Sequence, residues 1–275
     1  MIFQLHRPAF PLNRFVEHLV YFDGAIATHS LDRFLPDGNT ELIVDLTENP
    51  QYIYDNETLR EIQTCRRAWV SGVRTQPITI PSGRESRMLI VAFKKGKAFP
   101  CYSLPMSELV DTVVEADGVF GLDFHVLREQ LLASTSIEYM FQLVEEFLIH
   151  RAGDGIHDST PTRCLEYALS SINRDPGSGC LQRLSEQIGY SQKHFIDLFR
   201  QQVGVSPKQY IRIMRFQKVI GIIENSPRVR WSQIAADSGY YDQAHLIHDF
   251  KFFSGFTPNE YVRRKSSLLN YVPVG

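Results

Sequence analysis

The chain has 275 residues, long for one domain and comfortable for two. Its 43% hydrophobic and 22% charged residues allow a sizeable core, and no apolar run reaches the length of a transmembrane helix, which sets aside a membrane-spanning protein. The net charge of −2 hides an asymmetry: residues 161–275 hold 15 Lys and Arg against 9 Asp and Glu, whereas residues 1–160 hold 14 against 22.

A near-neutral chain with one basic half points to a polyanion that meets only that half, set against the plainer reading of solvated charge clustered by chance. The opening stretch Met1–Phe10 lacks a basic segment followed by an apolar one, so no secretory signal is expected. Cys65, Cys101, Cys164 and Cys180 are scattered, with no CxxC pair and no His at metal spacing. That spacing fits reduced thiols in a cytoplasm, and neither a metal site nor a cofactor is expected.

Up to about residue 110 the pattern is of short strands between turns. Pro36-Asp37-Gly38-Asn39 is a turn cluster ahead of the strand-like run Glu41–Leu46. Ala68–Val73 and Met88–Phe93 read similarly, and such strands favour a small β-barrel or sandwich. A helical period follows: first Leu122, Val126, Leu127, Gln130 and Leu131, then, more strongly, Ile137, Met140, Phe141, Val144, Phe147 and Leu148. The second stripe has two readings, packing on its own barrel or forming a dimer seam. Residues 151–161, with two glycines and a proline, read as a linker between a β-rich region 1–150 and a helical region 162–268. From Thr162 onward the punctuation predicts only helices, near 162–173, 181–188, 191–201, 207–224, 231–237, 242–252 and 258–265. The expected fold is therefore α+β in two domains.

An internal repeat organises that helical part. Phe199, Gly204, Pro207 and Tyr210 recur 51 residues later as Phe250, Gly255, Pro258 and Tyr261, and Gly189-Tyr190 recurs 50 residues later as Gly239-Tyr240. In each copy a short apolar helix, a glycine suited to left-handed backbone and a second helix buried on one face make a helix-turn-helix. Ser206-Pro207-Lys208-Gln209 and Thr257-Pro258-Asn259-Glu260 then predict capping boxes with proline at the first helical position. Two copies with sharp turns are too few and too short for a solenoid.

The stretch Gly239-Tyr240-Tyr241-Asp242-Gln243-Ala244-His245-Leu246-Ile247-His248-Asp249-Phe250-Lys251, with Phe253, Gly255 and Thr257-Pro258, resembles the signature of AraC/XylS-family regulators, and the likeness spans roughly 162–265. It implies a DNA-binding transcription regulator whose two helix-turn-helix units are joined by one long helix, 207–224, holding the reading helices in adjacent major-groove turns. The N-terminal part resembles more weakly the uncharacterised β-rich domain of some of these regulators, through Leu35–Gly38 with Glu41, Val70-Ser71-Gly72 and Phe93–Pro100. Its usual glycine-rich stretch is here Phe93-Lys94-Lys95-Gly96-Lys97-Ala98, a departure that alters any pocket there.

With Phe195, Leu198 and Phe199 inward, the outward set of copy one is Gln192, Lys193, Ile196, Asp197 and Arg200; copy two offers Gln243, Ala244, Ile247, His248 and Lys251. Gln192 and Gln243 suit an adenine edge, Ile196 and Ile247 a thymine methyl, and Arg200 and Lys251 phosphates. Asp197 departs from the family's basic or polar residue at that place and suits either a cytosine amine or repulsion by the backbone. His194 and His245, between the two faces, are expected to serve the structure. Double-stranded DNA is the expected partner, with a small-molecule effector, a homodimer and, for an activator, RNA polymerase as further partners.

Two other classes compete: a DNA-repair or other enzyme carrying this tail, and a pure protein-interaction module. GxSxG, HExxH, P-loop and GxGxxG motifs are all missing, and Cys65 and Cys101 stand alone where a cysteine alkyl acceptor would need a cluster. Asp37, Glu41 and Asp45 suggest acid–base or metal chemistry, but Glu41 and Asp45 sit on a strand-like run beside a turn, where a carboxylate more often bonds backbone N–H groups. The expectation is a regulator, not an enzyme.

Overall fold

The computed structural model describes residues 1–275 apart from 25–29, 48, 83–85, 103, 157–159, 178–188, 226–228, 267–268 and 275. Its N-terminal half is built from two antiparallel sheets. The first contains β1 (Ile2–His6), β2 (Val16–Gly24), β4 (Glu41–Asp45), β7 (Ala68–Ser71), β9 (Ser86–Phe93) and β10 (Val113–Glu115), in the order β1-β2-β9-β4-β7-β10. The second contains β3 (Leu31–Phe34), β5 (Gln51–Tyr54), β6 (Glu61–Cys65), β8 (Ile78–Pro81) and β11 (Tyr271–Pro273), in the order β11-β3-β8-β5-β6. Among the described residues no strand closes the two sheets into a barrel, so the barrel alternative is not the form adopted.

Period-two alternation sends Leu19 and Tyr21, Leu42 and Val44, and Leu89 and Val91 to one face of the first sheet. There they form a core with helices α1 (Ala116–Phe120), α2 (Leu122–Ala133) and α3 (Ile137–Ala152). The stripe of α3 falls on this core: Met140, Phe141, Val144, Phe147 and Leu148 are all buried against their own sheet, which removes the dimer-seam reading of that face. In α2 the expected stripe is turned. Phe124, Leu127, Arg128 and Leu131 are buried while Leu122 and Val126 face solvent, because Phe124 stacks on Phe120 and meets Phe147 edge-on, which fixes the helix's rotation.

The helical part comprises α4 (Thr160–Arg174), α5 (Gln192–Val203), α6 (Pro207–Asn225), α7 (Trp231–Asp237), α8 (Gln243–Ser254) and α9 (Pro258–Arg264). The expected linker 151–161 is occupied by the end of α3, a 3-10 turn over Gly153–Ile156 and the start of α4. The helix expected at 181–188 lies outside the described residues. The expectation of helices alone beyond Thr162 is corrected by β11, which returns to the second sheet and pairs with β3 in the register Tyr271↔Phe34, Val272↔Arg33 and Pro273↔Asp32.

A second core joins the two parts. Leu35 and Val73 of the β-rich half, and Val272 of β11, pack among Leu169, Phe199, Tyr210, Met214, Phe216 and Val219. The Gln217 amide of α6 donates to the Pro36 carbonyl at 2.8 Å and to Asn270 Oδ1 at 2.9 Å. At Gly38, φ is +84° and a Cβ would lie 2.6 Å from Met214 Cε, so the turn reaches α6 only as glycine.

Candidate nucleic-acid interface

Helix α6 is enclosed along most of its length, with Tyr210, Ile211, Ile213, Met214, Phe216, Val219, Ile220 and Ile223 buried. Each end carries one reading unit. Phe199 meets Tyr210 edge-on at 5.6 Å near its start, and Phe250 and Phe253 meet Phe216 at 5.1 and 5.2 Å farther along.

The turns before the reading helices use Gly189 and Gly239, at φ +76° and +78°, the left-handed backbone that a tight turn between crossing helices needs. Helix α5 is capped by Ser191, whose hydroxyl accepts from His194 N at 3.2 Å, and α8 by Asp242, whose carboxylate accepts from His245 N at 2.8 Å. In α5, Phe195, Phe199 and Val203 are buried; in α8, Leu246, Asp249, Phe250, Phe253 and Ser254 are. The outward residues of α5 are then Gln192, Lys193, Asp197 and Arg200, all exposed, with Ile196 half-buried. Those of α8 are Gln243, Ala244, His248 and Lys251, exposed, with Ile247 half-buried. The two sets occupy matching faces.

After α8, Thr257 and Glu260 form the full capping box: Glu260 N donates to Thr257 Oγ1 at 3.3 Å and Thr257 N to Glu260 Oε2 at 2.7 Å. Copy one has the Ser206 cap, accepting from Gln209 N at 3.2 Å, but the Gln209 amide oxygen accepts from Arg212 Nη1 at 3.2 Å. His194 and His245 stand edge-on to Tyr190 and Tyr240, at 4.7 and 5.1 Å, which holds both rings beside the turn.

One residue escaped the sequence reading. Asp249 is 3% exposed at its side chain and takes two bonds from Arg212 of α6, Nη2 to Oδ1 at 2.8 Å and Nε to Oδ2 at 3.3 Å. A buried charge needs such a partner. His245 Nε2 and His248 Nδ1 lie 3.9 and 3.6 Å from the same carboxylate. The signal was available: 246, 249, 250 and 253 share one helical face, and an acid among three apolar residues there demands a cation.

The other titratable groups are structural in their contacts. Asp45 Oδ1 accepts from Thr47 N at 2.6 Å, the backbone bond expected of it, and Asp37 Oδ1 accepts from Asn39 N at 2.9 Å. Glu41 is held differently: burial, with the Asp37 charge adding to it, pushes its carboxyl up to about 7. Burial drives the Cys65 and Cys101 thiols up to about 12, the reverse of the lowered pKa that activates a cysteine nucleophile. Among the described residues no group of His, Cys, Asp and Glu could hold a metal, and no helix is long and apolar enough to cross a membrane.

Paired capped helices, each with an aromatic inner face and a polar outer one, mounted on one long helix, define a double helix-turn-helix DNA-binding protein. Residues 184–264 match the family described as helix-turn-helix domain, in its AraC-type form, which supports a DNA-binding transcription regulator. Residues 4–115 match a second family, described as Domain of unknown function (DUF6597). No curated protein matches the chain. Among solved structures, ToxT from Vibrio cholerae O395 is similar at 9% identity over 95% of this chain and 97% of its own, with a TM-score of 0.43. The C-terminal domain of AraT, a response regulator from Geobacillus stearothermophilus, is similar at 21% identity over 38% of this chain and 85% of its own, with a TM-score of 0.34. The DNA-binding domain of the global transcriptional factor AdpA, solved in complex with a target DNA, is similar at 19% identity over 38% of this chain and 92% of its own, with a TM-score of 0.34.

Proposed function

We propose that α5 and α8 enter successive major-groove turns of one DNA site and read its sequence, with the unit 162–268 as reader. The observation that carries this is the matched exposure of two five-residue sets on helices fixed to a single enclosed helix. Gln192 and Gln243 offer bidentate bonds to adenine, Ile196 and Ile247 contact thymine methyls, and His248, Lys193 and Ala244 line the same groove faces. Arg200 and Lys251, a turn or two farther along, meet phosphates. Asp197 is repelled by the backbone, so copy two is the stronger reader.

The unit 1–150, joined through 151–161, serves as sensor. Between the sheets, Ile53, Cys65, Ile78 and Val113 form only a small cluster and leave Phe34, Trp69 and Ile80 partly exposed, which supports a small, largely apolar effector there. The protein works in the cytoplasm without enzymatic activity, and as an activator it would also meet RNA polymerase.

The test is sequence selection from random DNA followed by binding of variants. Gln243→Ala should lose ~1–3 kcal/mol at the preferred site and relax one or two base pairs. Lys251→Ala should weaken all sequences alike and flatten the salt slope by about one unit. Loss of specificity on Asp197→Ala with none on Gln243→Ala would make copy one the principal reader.

A further inference from the structure

The turn ahead of copy two's reading helix is one residue longer than that of copy one. Tyr190 leads straight into the cap Ser191, whereas Tyr240 is followed by Tyr241 before the cap Asp242. Tyr240 is 6% exposed and belongs to the core. The extra residue, Tyr241, is 92% exposed, the barest large side chain of its kind among the described residues.

Its backbone is nonetheless held on both sides. Tyr241 N donates to His245 Nδ1 at 3.5 Å, Asp242 accepts from His245 N at 2.8 Å, and the Tyr240 ring meets the His245 ring edge-on at 5.1 Å. The bond to His245 seats Tyr241 one turn ahead of that ring, on the flank of α8 that Ala244 and His248 continue. By the helical period, Ile247 lies near the middle of the outward set and His248 on its border. Base edges meet the middle of a reading face, and its border stands against the groove wall of sugar and phosphate.

The cap adds a second reason. Asp242 puts a carboxylate at the N-terminus of α8, where copy one has the neutral hydroxyl of Ser191. A negative charge there works against a phosphate that the helix end would otherwise attract. A phenol is a long, uncharged donor, free of that conflict. We infer that Tyr241 anchors copy two to the DNA backbone, its O–H donating to a phosphate oxygen on the wall of the groove that α8 enters. The inference rests on that entry and adds to it a contact that reads no base. Copy one, without the extra residue, has no counterpart.

Anisotropy titrations of the full chain, on the selected site and on an unrelated duplex, separate the outcomes. Tyr241→Phe should lose about tenfold in affinity on both. Its salt slope and melting temperature should match wild type, since only a neutral hydroxyl on an exposed side chain is removed. In a scan of single methylphosphonates through the DNA, one position should weaken the wild type and leave Tyr241→Phe unaffected, which marks the phosphate. If Gln243→Ala relaxes the base preference while Tyr241→Phe binds as wild type, the anchor is overturned and the reading stands. If neither variant changes binding, α8 does not enter DNA and both fall. A loss on Tyr241→Phe confined to the selected site also overturns the anchor, by making the phenol a reader of bases.

Discussion

Helix α8 is fastened from within the helical part, where Asp249 takes two bonds from Arg212 of α6, while α5 ends against the β-rich half. There, at Gly204, a Cβ would lie 3.0 Å from the Met106 carbonyl oxygen and 3.0 Å from Val110 Cγ2. The equivalent Gly255 faces only the end of the Arg33 side chain, which also lies over the Phe256 ring at 4.9 Å. Two copies of one motif thus have different foundations. Copy two is set by an ion pair internal to the reader, and copy one by backbone packing against the half proposed to sense. A shift in the β-rich half reaches the end of α5 through backbone contacts, and the end of α8 through the Arg33 side chain and through α6.

The largest expected effect falls on the ion pair. Asp249→Ala leaves Arg212 without its carboxylate and should cost about 3 kcal/mol of unfolding free energy, read by denaturant titration. If the variant is as stable as wild type, α8 is held by its aromatic face alone and the contrast with α5 disappears. Next come the two glycines. Gly204→Ala, at φ +101° and against backbone, should cost about 2–3 kcal/mol, whereas Gly255→Ala, at φ +77° beside a side chain that can swing away, should cost about 1 kcal/mol. Equal losses would mean that the β-rich half yields as readily as Arg33 does.

A pH titration sharpens the same point, because the ground under copy one is ionisable. Asp37 and Glu41 are both raised by burial, and the Asp37 charge is felt at Tyr210, in the first turn of α6. A carboxyl raised from its ordinary 4.5 to about 7 favours the fold most below pH 4.5, and that contribution is lost as pH rises to about 7. Glu41→Gln should therefore gain stability relative to wild type by about 1–2 kcal/mol between pH 5 and pH 8. A variant that tracks wild type across that interval places the pH dependence on other groups. The smallest effect is at Asp197, exposed on α5: Asp197→Ala should leave stability unchanged and leave DNA affinity equal or slightly raised, measured by fluorescence anisotropy at two salt concentrations. A loss of affinity would mean that the carboxylate accepts from a base.

What the sequence disclosed, and what it withheld, follows the range of the interactions involved. Caps, glycine stops and the 51-residue repeat act within a turn or two of chain, so α5 to α9 could be placed almost to the residue. The outward sets on α5 and α8 followed from the same period. The Glu41, Ala68 and Met88 runs announced themselves by continuous apolar residues. By contrast β3, Leu-Asp-Arg-Phe, carries two adjacent charges and reads as a loop; it is a strand because β8 and β11 flank it. Arg212 meets Asp249 across 37 positions, and no local pattern names that partner. The junction of Gly38 with Met214 was equally hidden, since it depends on two surfaces that come together only after each has formed.

The late strand β11 has a consequence for how the protein is made. Its partner β3 leaves the ribosome about 240 residues earlier, and at about 5–20 residues per second that edge waits about 10–50 s for its last neighbour. An unpaired edge is where nascent chains stick to one another. Asp32 and Arg33, which the finished fold buries at 6 and 7% exposure, belong to that edge strand. Charges at an unpaired edge disfavour its pairing with another chain. In the finished fold Ser82 and Asn56, both made well before β11, are their hydrogen-bond partners.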